Sequence, residues 1–387
     1  MKSSVIALIF ALVISVDVAI AQGSNPITGA DSTFRPITTA VPFLLISPDA
    51  RHAALGDAGA ATSADANAAY WNPAKLVFID KAYGGAVSYT PWLGKIINDM
   101  WISYLSGFYK ITREQAVAVG FKYFDLGDIF FRDVSNNPLG DFNPRELSLD
   151  ITYSRLLTEQ LSVGLTGRYI HSNLTGSFSN NGVDAQPGNS VAADIGVFYR
   201  KDLKGAKTNS LSMAAVVSNI GAKLTYSDNA NKDFLPTNLR IGAAYTTELD
   251  PFNSFTFALD LNKLMVPSPN RDRTIPDKSL LGGMFGSFSD APDGFSEEIK
   301  EVIVNAGIEY WYNQTFAGRV GYFSESKEKG NRKYMTVGVG FRSKERFGID
   351  IAYLVPTNKR EHPLAETIRF TILFQIKQVE KEETVTD

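Results

Sequence analysis

"RELSLDITYSRLL", residues 145–157, sets Leu147, Leu149, Ile151 and Tyr153 on one side of an extended chain and Ser148, Asp150, Thr152 and Ser154 on the other. That alternation has the two-residue period of a strand, not the 3.6-residue period of a helix. About nine to eleven residues with one apolar and one polar face suit a strand that crosses a bilayer at a tilt. The pattern recurs. "LSVGLTGRYI" sets Leu161, Val163, Leu165 and Tyr169 against Ser162, Gly164, Thr166 and Arg168, and "SFTFALDLN", "EVIVNAGIEY", "YMTVGVGFR", "FGIDIAYLV" and "TIRFTILFQI" follow. About fourteen such segments fit between residues 82 and 376, which predicts an all-β transmembrane barrel over residues 81–377.

Three patterns bear on that reading. All 17 prolines fall in the N-terminal segment or between the expected strands, as a hydrogen-bonded ladder requires. The links alternate in length: "KITRE", "LTEQ" and "SKER" are tight, whereas 125–144, 171–189, 219–237 and 263–300 are long. Short periplasmic turns and long external loops produce this alternation in an outer-membrane barrel, and an even strand count leaves both termini periplasmic. A soluble sandwich gives no reason for it. The third pattern is charge. Asp150, Arg168, Asp194, Arg240, Asp260, Glu309, Arg319, Arg342, Asp350 and Arg369 all occupy the face opposite the large apolar residues, where a polar lumen lets them pair. Arg or Lys on the lipid face at mid-depth would cost about 2–4 kcal/mol. Aromatic residues gather at segment ends (Tyr89, Trp92, Trp101, Tyr109, Tyr123, Tyr199, Trp311, Tyr312, Tyr322 and Phe341), as interfacial girdles do.

The rest of the 387 residues frames the barrel. Residues 1–21, "MKSSVIALIFALVISVDVAIA", read as a secretory signal peptide with a small-residue cleavage site. No other apolar run reaches the roughly 18 residues of a membrane helix. With no cysteine there is no disulfide, thiolate metal site or cysteine-borne lipid anchor. A net charge of −3 gives no basic footprint for nucleic acid. Residues 378–387 form a charged tail.

Fourteen strands enclose a wider bore than eight, which side chains alone can fill. Residues 22–80 precede the first strand, carry no lipid-facing pattern, and include "GDAGAATSADANAAYWNPAK". Its small residues allow tight packing inside a barrel, so the segment is expected to be a plug. Of the long links, 263–300 stands out. Prolines 267, 269, 276 and 292 stiffen it, and "LLGGMFGSF" makes it apolar, with Leu281, Met284, Phe285, Phe288 and Phe295 as candidate partner contacts. An exposed apolar tip needs a cover. Two are open: the plug itself, or a partner barrel. Ser296 is a candidate cap for a helical turn through Glu297 and Glu298.

Chemistry is thinly represented. The histidines, His52, His171 and His362, offer no pair at metal-ligand spacing, and Ser47 and His52 are near only in sequence. "LGDAG" does not match a phosphate loop. No cofactor, metal or catalytic residue is expected, and the chain reads as a non-enzyme.

The segment ending in Asn72-Pro73-Ala74, with Gly56, Asp57, Gly59 and Asp65 before it and a barrel after it, resembles the FadL-like superfamily of fourteen-stranded outer-membrane transporters. "AVPFLLISPDAR", "YTPWL", "YFDLGDIFFRD", "GRYIHSNL" and "GMFGSFSDAPDGFSEEIKEV" are similar more narrowly to the PorV family of the type IX secretion system, and favour it over the PorQ sister group. The resemblance implies a non-enzymatic outer-membrane barrel with no cofactor. Its implied partners are the SprA translocon (also called Sov), the C-terminal signal domains of secreted cargo, and PorU-like proteins of the surface attachment complex. Outer-membrane lipid and lipopolysaccharide complete the set. Two other classes stay open: a FadL-like transporter of small hydrophobic molecules, which needs an apolar pocket between plug and wall, and a lipopolysaccharide-modifying enzyme, which needs a histidine with an oriented acid near a lipid-accessible face.

Overall fold

The computed structural model describes residues 34–93, 99–132, 136, 138–174, 176, 179–180, 183–184, 186–203, 209–227, 232–343, 346–357 and 367–377. The expected leader (1–21), the first part of the expected plug and the charged tail lie outside them. The compact unit begins at Arg35.

Fourteen antiparallel strands close into one barrel. They are β1 (Lys81–Pro91), β2 (Trp101–Thr112), β3 (Gln115–Asp125), β4 (Arg145–Leu156), β5 (Leu161–Asn173), β6 (Gly188–Leu203) and β7 (Asn209–Gly221). They continue as β8 (Asn238–Glu248), β9 (Asn253–Leu264), β10 (Ile303–Tyr312), β11 (Phe316–Ser324), β12 (Lys333–Ser343), β13 (Phe347–Pro356) and β14 (Ile368–Lys377). Each strand pairs with its sequence neighbours, and β1 pairs with β14 from Lys81↔Lys377 to Tyr89↔Phe370, which leaves no free edge.

The period-two pattern sets the two faces. In β4, Leu149, Ile151 and Tyr153 are exposed outward, while Ser148, Asp150, Thr152 and Ser154 are buried inward. Long and short links alternate around the rim, so one end of the barrel carries the long links and the other the tight turns. Tyr89, Trp101 and Tyr123 make a run of neighbouring rings on the outside of β1–β3.

Three local expectations are corrected. Pro91 and Pro356 are the last residues of β1 and β13, where the ladder tolerates them, rather than lying wholly between strands. Trp92 turns inward and packs on Phe124, so it is no girdle residue. The β3–β4 link carries a two-stranded ribbon (Ile129–Arg132 with Pro138–Phe142), and the β5–β6 link a shorter one (Ser179–Asn180 with Val183–Asp184). Ser296 lies inside its helix rather than capping it, because Gly294 takes the N-cap position. Among the described residues no helix is long and apolar enough to cross a membrane.

Candidate functional site

Residues 35–80 form an inner segment that meets the inward side of the wall. Its turns are short: a 3-10 turn at Pro42–Leu45, α1 (Ala50–Ala53), α2 (Ala68–Trp71) and a 3-10 stretch at Pro73–Phe78. Alanine recurs along it, with Ala50, Ala54, Ala58, Ala60, Ala66, Ala68 and Ala74 fully buried. Small side chains let backbone approach backbone, so hydrogen bonds rather than bulk hold the segment to the wall.

Each plug-motif residue has a definite place. Asn72 donates from Nδ2 to the Val197 carbonyl of β6 at 3.1 Å and caps the turn by accepting from Ala74 N at 2.9 Å. Pro73 opens that turn, and the Ala74 carbonyl accepts from Ser154 Oγ (3.1 Å) and Ser162 Oγ (2.6 Å) of β4 and β5. Gly56 and Asp57 both adopt left-handed backbone, and a Cβ on Gly56 would collide with the Tyr322 main chain of β11. Asp57 accepts from the Tyr334 hydroxyl at 2.9 Å. The main-chain N–H groups of Gly59 and Ala60 both donate to Asp260 Oδ2 of β9. Asp65 accepts from Arg51 Nη1 at 3.0 Å.

The inward charges sort into two clusters and some single contacts. One cluster stays in the wall: Arg168 Nε bonds Asp150 Oδ1 at 2.7 Å, its Nη2 bonds Asp194 Oδ2 at 3.0 Å, and Asn219 accepts from Nη1. The second joins wall to inner segment. Arg51 grips Glu309 through two bonds (2.8 and 2.9 Å), Glu309 also accepts from Arg319 (2.7 Å), and Arg319 and Arg342 share Asp350 (2.7 and 2.6 Å). Arg369 donates to the Ser47 carbonyl at 2.9 Å. Arg240 lies over the Trp71 ring at 4.7 Å and, among the described residues, bonds Asn262 through Nε. Together with Asn305 (to the Gly56 carbonyl), Thr336 (from Gly56 N) and Thr371 (from Ala50 N), they fasten the segment to strands on both sides of the bore.

Other buried groups make contacts that the sequence does not reveal. Lys122 of β3 donates to the Phe43 and Ile46 carbonyls at 2.7 and 2.5 Å. His52 is fully buried, with Asp49 Oδ2 at 2.7 Å from Nδ1 and Thr62 Oγ1 at 3.0 Å from Nε2. Ser47 is not its partner. This acid–histidine–hydroxyl order occurs in hydrolases, but here it is enclosed by protein, and Trp71 donates its indole N–H to the same Asp49 at 2.6 Å. Burial alone would raise the Asp49 carboxyl; facing His52 and these donors, it lies below the usual carboxylate range. Among the described residues Lys75 donates to the Gly59 carbonyl (2.6 Å) and Thr62 Oγ1 (3.0 Å), and burial pushes its ammonium down to about 7 despite Asp65.

The link between β9 and β10 closes over the long-link rim. It contains α3 (Leu280–Gly286), capped by Ser279, and α4 (Phe295–Lys300). In α4 the polarity is inverted. Glu297 is 2% exposed, whereas Phe295 is 77% exposed and Ile299 is also turned outward. The buried carboxylates meet cations of the rim. Lys263 bonds Glu298 and Glu301 (2.9 and 2.6 Å), Lys329 bonds Glu297 and Glu301 (2.6 and 2.8 Å), and Arg35 bonds Glu297 (2.8 Å) and Asp293. Burial would raise Glu297, but Lys329 and Arg35 hold it below its ordinary value. Leu281, Phe285 and Phe288 are exposed beside Phe295. Met284 is the exception: at 4% exposure it faces the body of the protein.

A closed fourteen-strand antiparallel barrel, apolar outside and ion-paired inside, has the architecture of an outer-membrane β-barrel. Solved structures of that shape are similar to it in fold alone. The toluene transporter TodX of Pseudomonas putida aligns at 10% identity over 85% of this chain and 98% of its own, with a TM-score of 0.50. A TodX deltaS2S3 mutant, described as a monoaromatic hydrocarbon channel, aligns at 12% identity over 85% and 99%, with a TM-score of 0.51. A Pseudomonas aeruginosa FadL homologue aligns at 10% identity over 85% and 98%, with a TM-score of 0.45. No curated protein matches in sequence. The family described as type IX secretion system protein PorV matches residues 29–271. The chain belongs to the PorV family.

Proposed function

We propose that this barrel is a docking component of type IX secretion that binds the SprA/Sov translocon through the β9–β10 link. It would accept cargo by the C-terminal signal domain and hand it to a PorU-like attachment complex at the cell surface. Family membership supports the secretion role. The observation that supports a docking surface is the inverted α4: buried ion pairs from Glu297 to Arg35 and Lys329, and from Glu298 to Lys263, hold Phe295 and Ile299 outward. A loop free to collapse would bury those side chains, since each large apolar side chain gains about 1.5–3 kcal/mol on burial. A rigid apolar display fits a surface completed by a partner.

In this reading both termini are periplasmic, residues 22–80 serve as a plug, and the ten inward charges hold plug and wall rather than move a substrate. A plugged bore of this size has no passage for folded cargo, so delivery runs beside the barrel. No catalytic step enters the reading. The transporter alternative draws on a cavity of about 400 Å³ between inner segment and wall. Its lining joins Arg240, Arg369 and Asp57 to the apolar Leu45, Ile46, Leu264, Ile303 and Phe323, which suits an amphiphile with an ionic group better than a plain hydrocarbon.

The test is substitution of Leu281, Phe285, Phe288 and Phe295 together by serine, followed by gentle-detergent affinity purification. The expected result is a heat-modifiable, folded barrel that no longer recovers the translocon. Full recovery of the translocon by a folded variant refutes the reading.

A further inference from the structure

A second cavity, of about 470 Å³, opens at the tight-turn end of the barrel. Its lining comes from strand ends on that side and from the turn residues Gln314 and Arg346. The volume falls within the roughly 300–1,000 Å³ of small-molecule sites. Ladder register builds one wall. Glu248 of β8 pairs with Ser254 of β9, and Ser254 pairs with Trp311 of β10, so the three share the inward face. One step deeper, Ser210, Thr246, Thr256 and Glu309 make a parallel row across β7–β10. Arg319 and Arg342 each hold a guanidinium carbon 5.4 Å from the centroid of the Trp311 ring, which stays half-buried on the cavity lining.

The polar groups of this lining fall into two sets. Arg51, Asp65, Glu309 and Arg342 are taken up by ion pairs, the last with Asp350, and Thr246 and Thr256 bond each other at 2.9 Å. The other set is unmet. Asp80, Glu248 and Arg346 make no side-chain bond among the described residues, and neither do the hydroxyls of Ser210, Ser212 and Ser254. Arg200 meets Asp202 at 3.5 Å, on the exposed side. Unmet groups of both signs narrow the ligand. An anion would face Asp80 and Glu248, and a cation would face Arg200 and Arg346. A hydrocarbon would strip water from the hydroxyls and replace none of its bonds. An extended peptide pairs with free main-chain edges, and the closed ladder has none. A saccharide suits the whole set: its hydroxyls donate to carboxylates and accept from arginine and serine, and its C–H faces lie against the negative face of an aromatic ring.

We propose that this cavity binds an oligosaccharide, with Trp311 as its platform, Glu248 and Ser254 bonding the sugar beside the ring, and Arg346 at the mouth. The tight turns face the periplasm in the orientation of the docking reading, which makes cell-wall glycan the source. The proposal rests on that reading for orientation alone, and it gives the barrel a hold on the cell wall at the end away from the β9–β10 link.

The experiment is isothermal titration calorimetry on the full chain in an uncharged polyoxyethylene detergent, whose head group carries no sugar. The probe is the disaccharide tetrapeptide that a muramidase releases from cell wall, compared with the free tetrapeptide and with maltotriose. The expected result is binding of the disaccharide tetrapeptide, with the free tetrapeptide about tenfold weaker or more. Trp311→Ala should weaken the probe about tenfold or more, as loss of a central aromatic contact does. That change also removes a contact of Arg319 and Arg342, so Ser254→Leu, which fills the wall beside the ring, is the second variant; it should lose binding while the barrel stays heat-modifiable. Equal binding of tetrapeptide and disaccharide tetrapeptide by the unaltered protein overturns the proposal without reference to any variant. So does binding that neither variant changes. Tighter binding of maltotriose than of the probe overturns the cell-wall source. Absence of saccharide binding while the translocon is still recovered refutes this site and leaves the docking function standing. Saccharide binding by a barrel that never recovers the translocon refutes the docking reading alone.

Discussion

The outer face of the barrel and the β9–β10 link present the same inversion for different reasons. On β4, Leu149, Ile151 and Tyr153 face out and Asp150 faces in; on α4, Phe295 and Ile299 face out and Glu297 faces in. For the wall, lipid completes the apolar face, and the buried charges gain from pairing within the bore. The link stands at the rim, where lipid does not reach in the proposed orientation, so its apolar face requires another cover. Apolar exterior alone thus distinguishes neither region. What distinguishes them is how each set of buried charges is built: the wall's ties neighbouring strands to one another and to the inner segment, and the link's pins one short helix.

The largest expected effect is in the wall. Glu309→Ala strands Arg51 and Arg319 with reduced pairing, and should cost about 3–5 kcal/mol, read as a lower heat-modification temperature in detergent. An unchanged temperature would mean that the Arg51–Glu309 tie does not couple segment to wall. Next is pH. Lys75 has a native pKa near 7 against an ordinary value of 10.5, so the unfolded chain binds the extra proton between those values. Stability therefore rises with pH from about 7 to 10.5, and the full penalty is present below 7. Thermal melting across this window should show that slope, and Lys75→Met should flatten it.

Effects in the link are smaller and local. Glu301→Ala leaves Lys263 and Lys329 with one carboxylate each, a loss of about 1–3 kcal/mol; protease cleavage within 265–302 should accelerate while barrel melting holds. Gly294 has a φ of 70° and ψ of −153°, with open space where a side-chain methyl would sit, so Gly294→Ala carries backbone strain alone. About 1–2 kcal/mol is expected, again as faster cleavage at the start of α4. The smallest is Phe285→Ser with Phe295→Ser, within about 0.5 kcal/mol for folding. A drop in barrel melting beyond that would show the rings to be packing groups, and the comparison with the wall would fail.

The strands were legible because a membrane wall enforces period two along every crossing, as in Leu147–Ser154. The same parity places Lys122 between Phe121 and Tyr123, so its inward position could have been found, though not its acceptors. Contacts such as Arg51–Glu309 join residues 258 apart, and no local pattern encodes which inward carboxylate an inner arginine will meet. The buried Asp49–His52–Thr62 chain joins residues only 3 and 10 apart, and is opaque because the short turns that carry it have no period to show which side chains meet. In the link, composition revealed apolar residues but not their direction: α3 has seven residues and α4 six, too few for a period to show which side faces in. That is why Met284 reads like Phe285 in sequence and differs in place.

The inner segment takes its acceptors and donors from nearly the whole chain: Ala50 N from Thr371, Ser47 from Arg369, Gly56 from Thr336 and Asn305. Sequence separations of this size make late contacts, because chain entropy must be overcome before they form. The part of the protein synthesised first is thus the part locked last, and its bonds to β14 cannot form until that strand arrives. An assembly intermediate that lacks the final strand would miss the bonds at Thr371 and Arg369 while keeping those to earlier strands, so the seam between β1 and β14 closes as the last ties to the inner segment form.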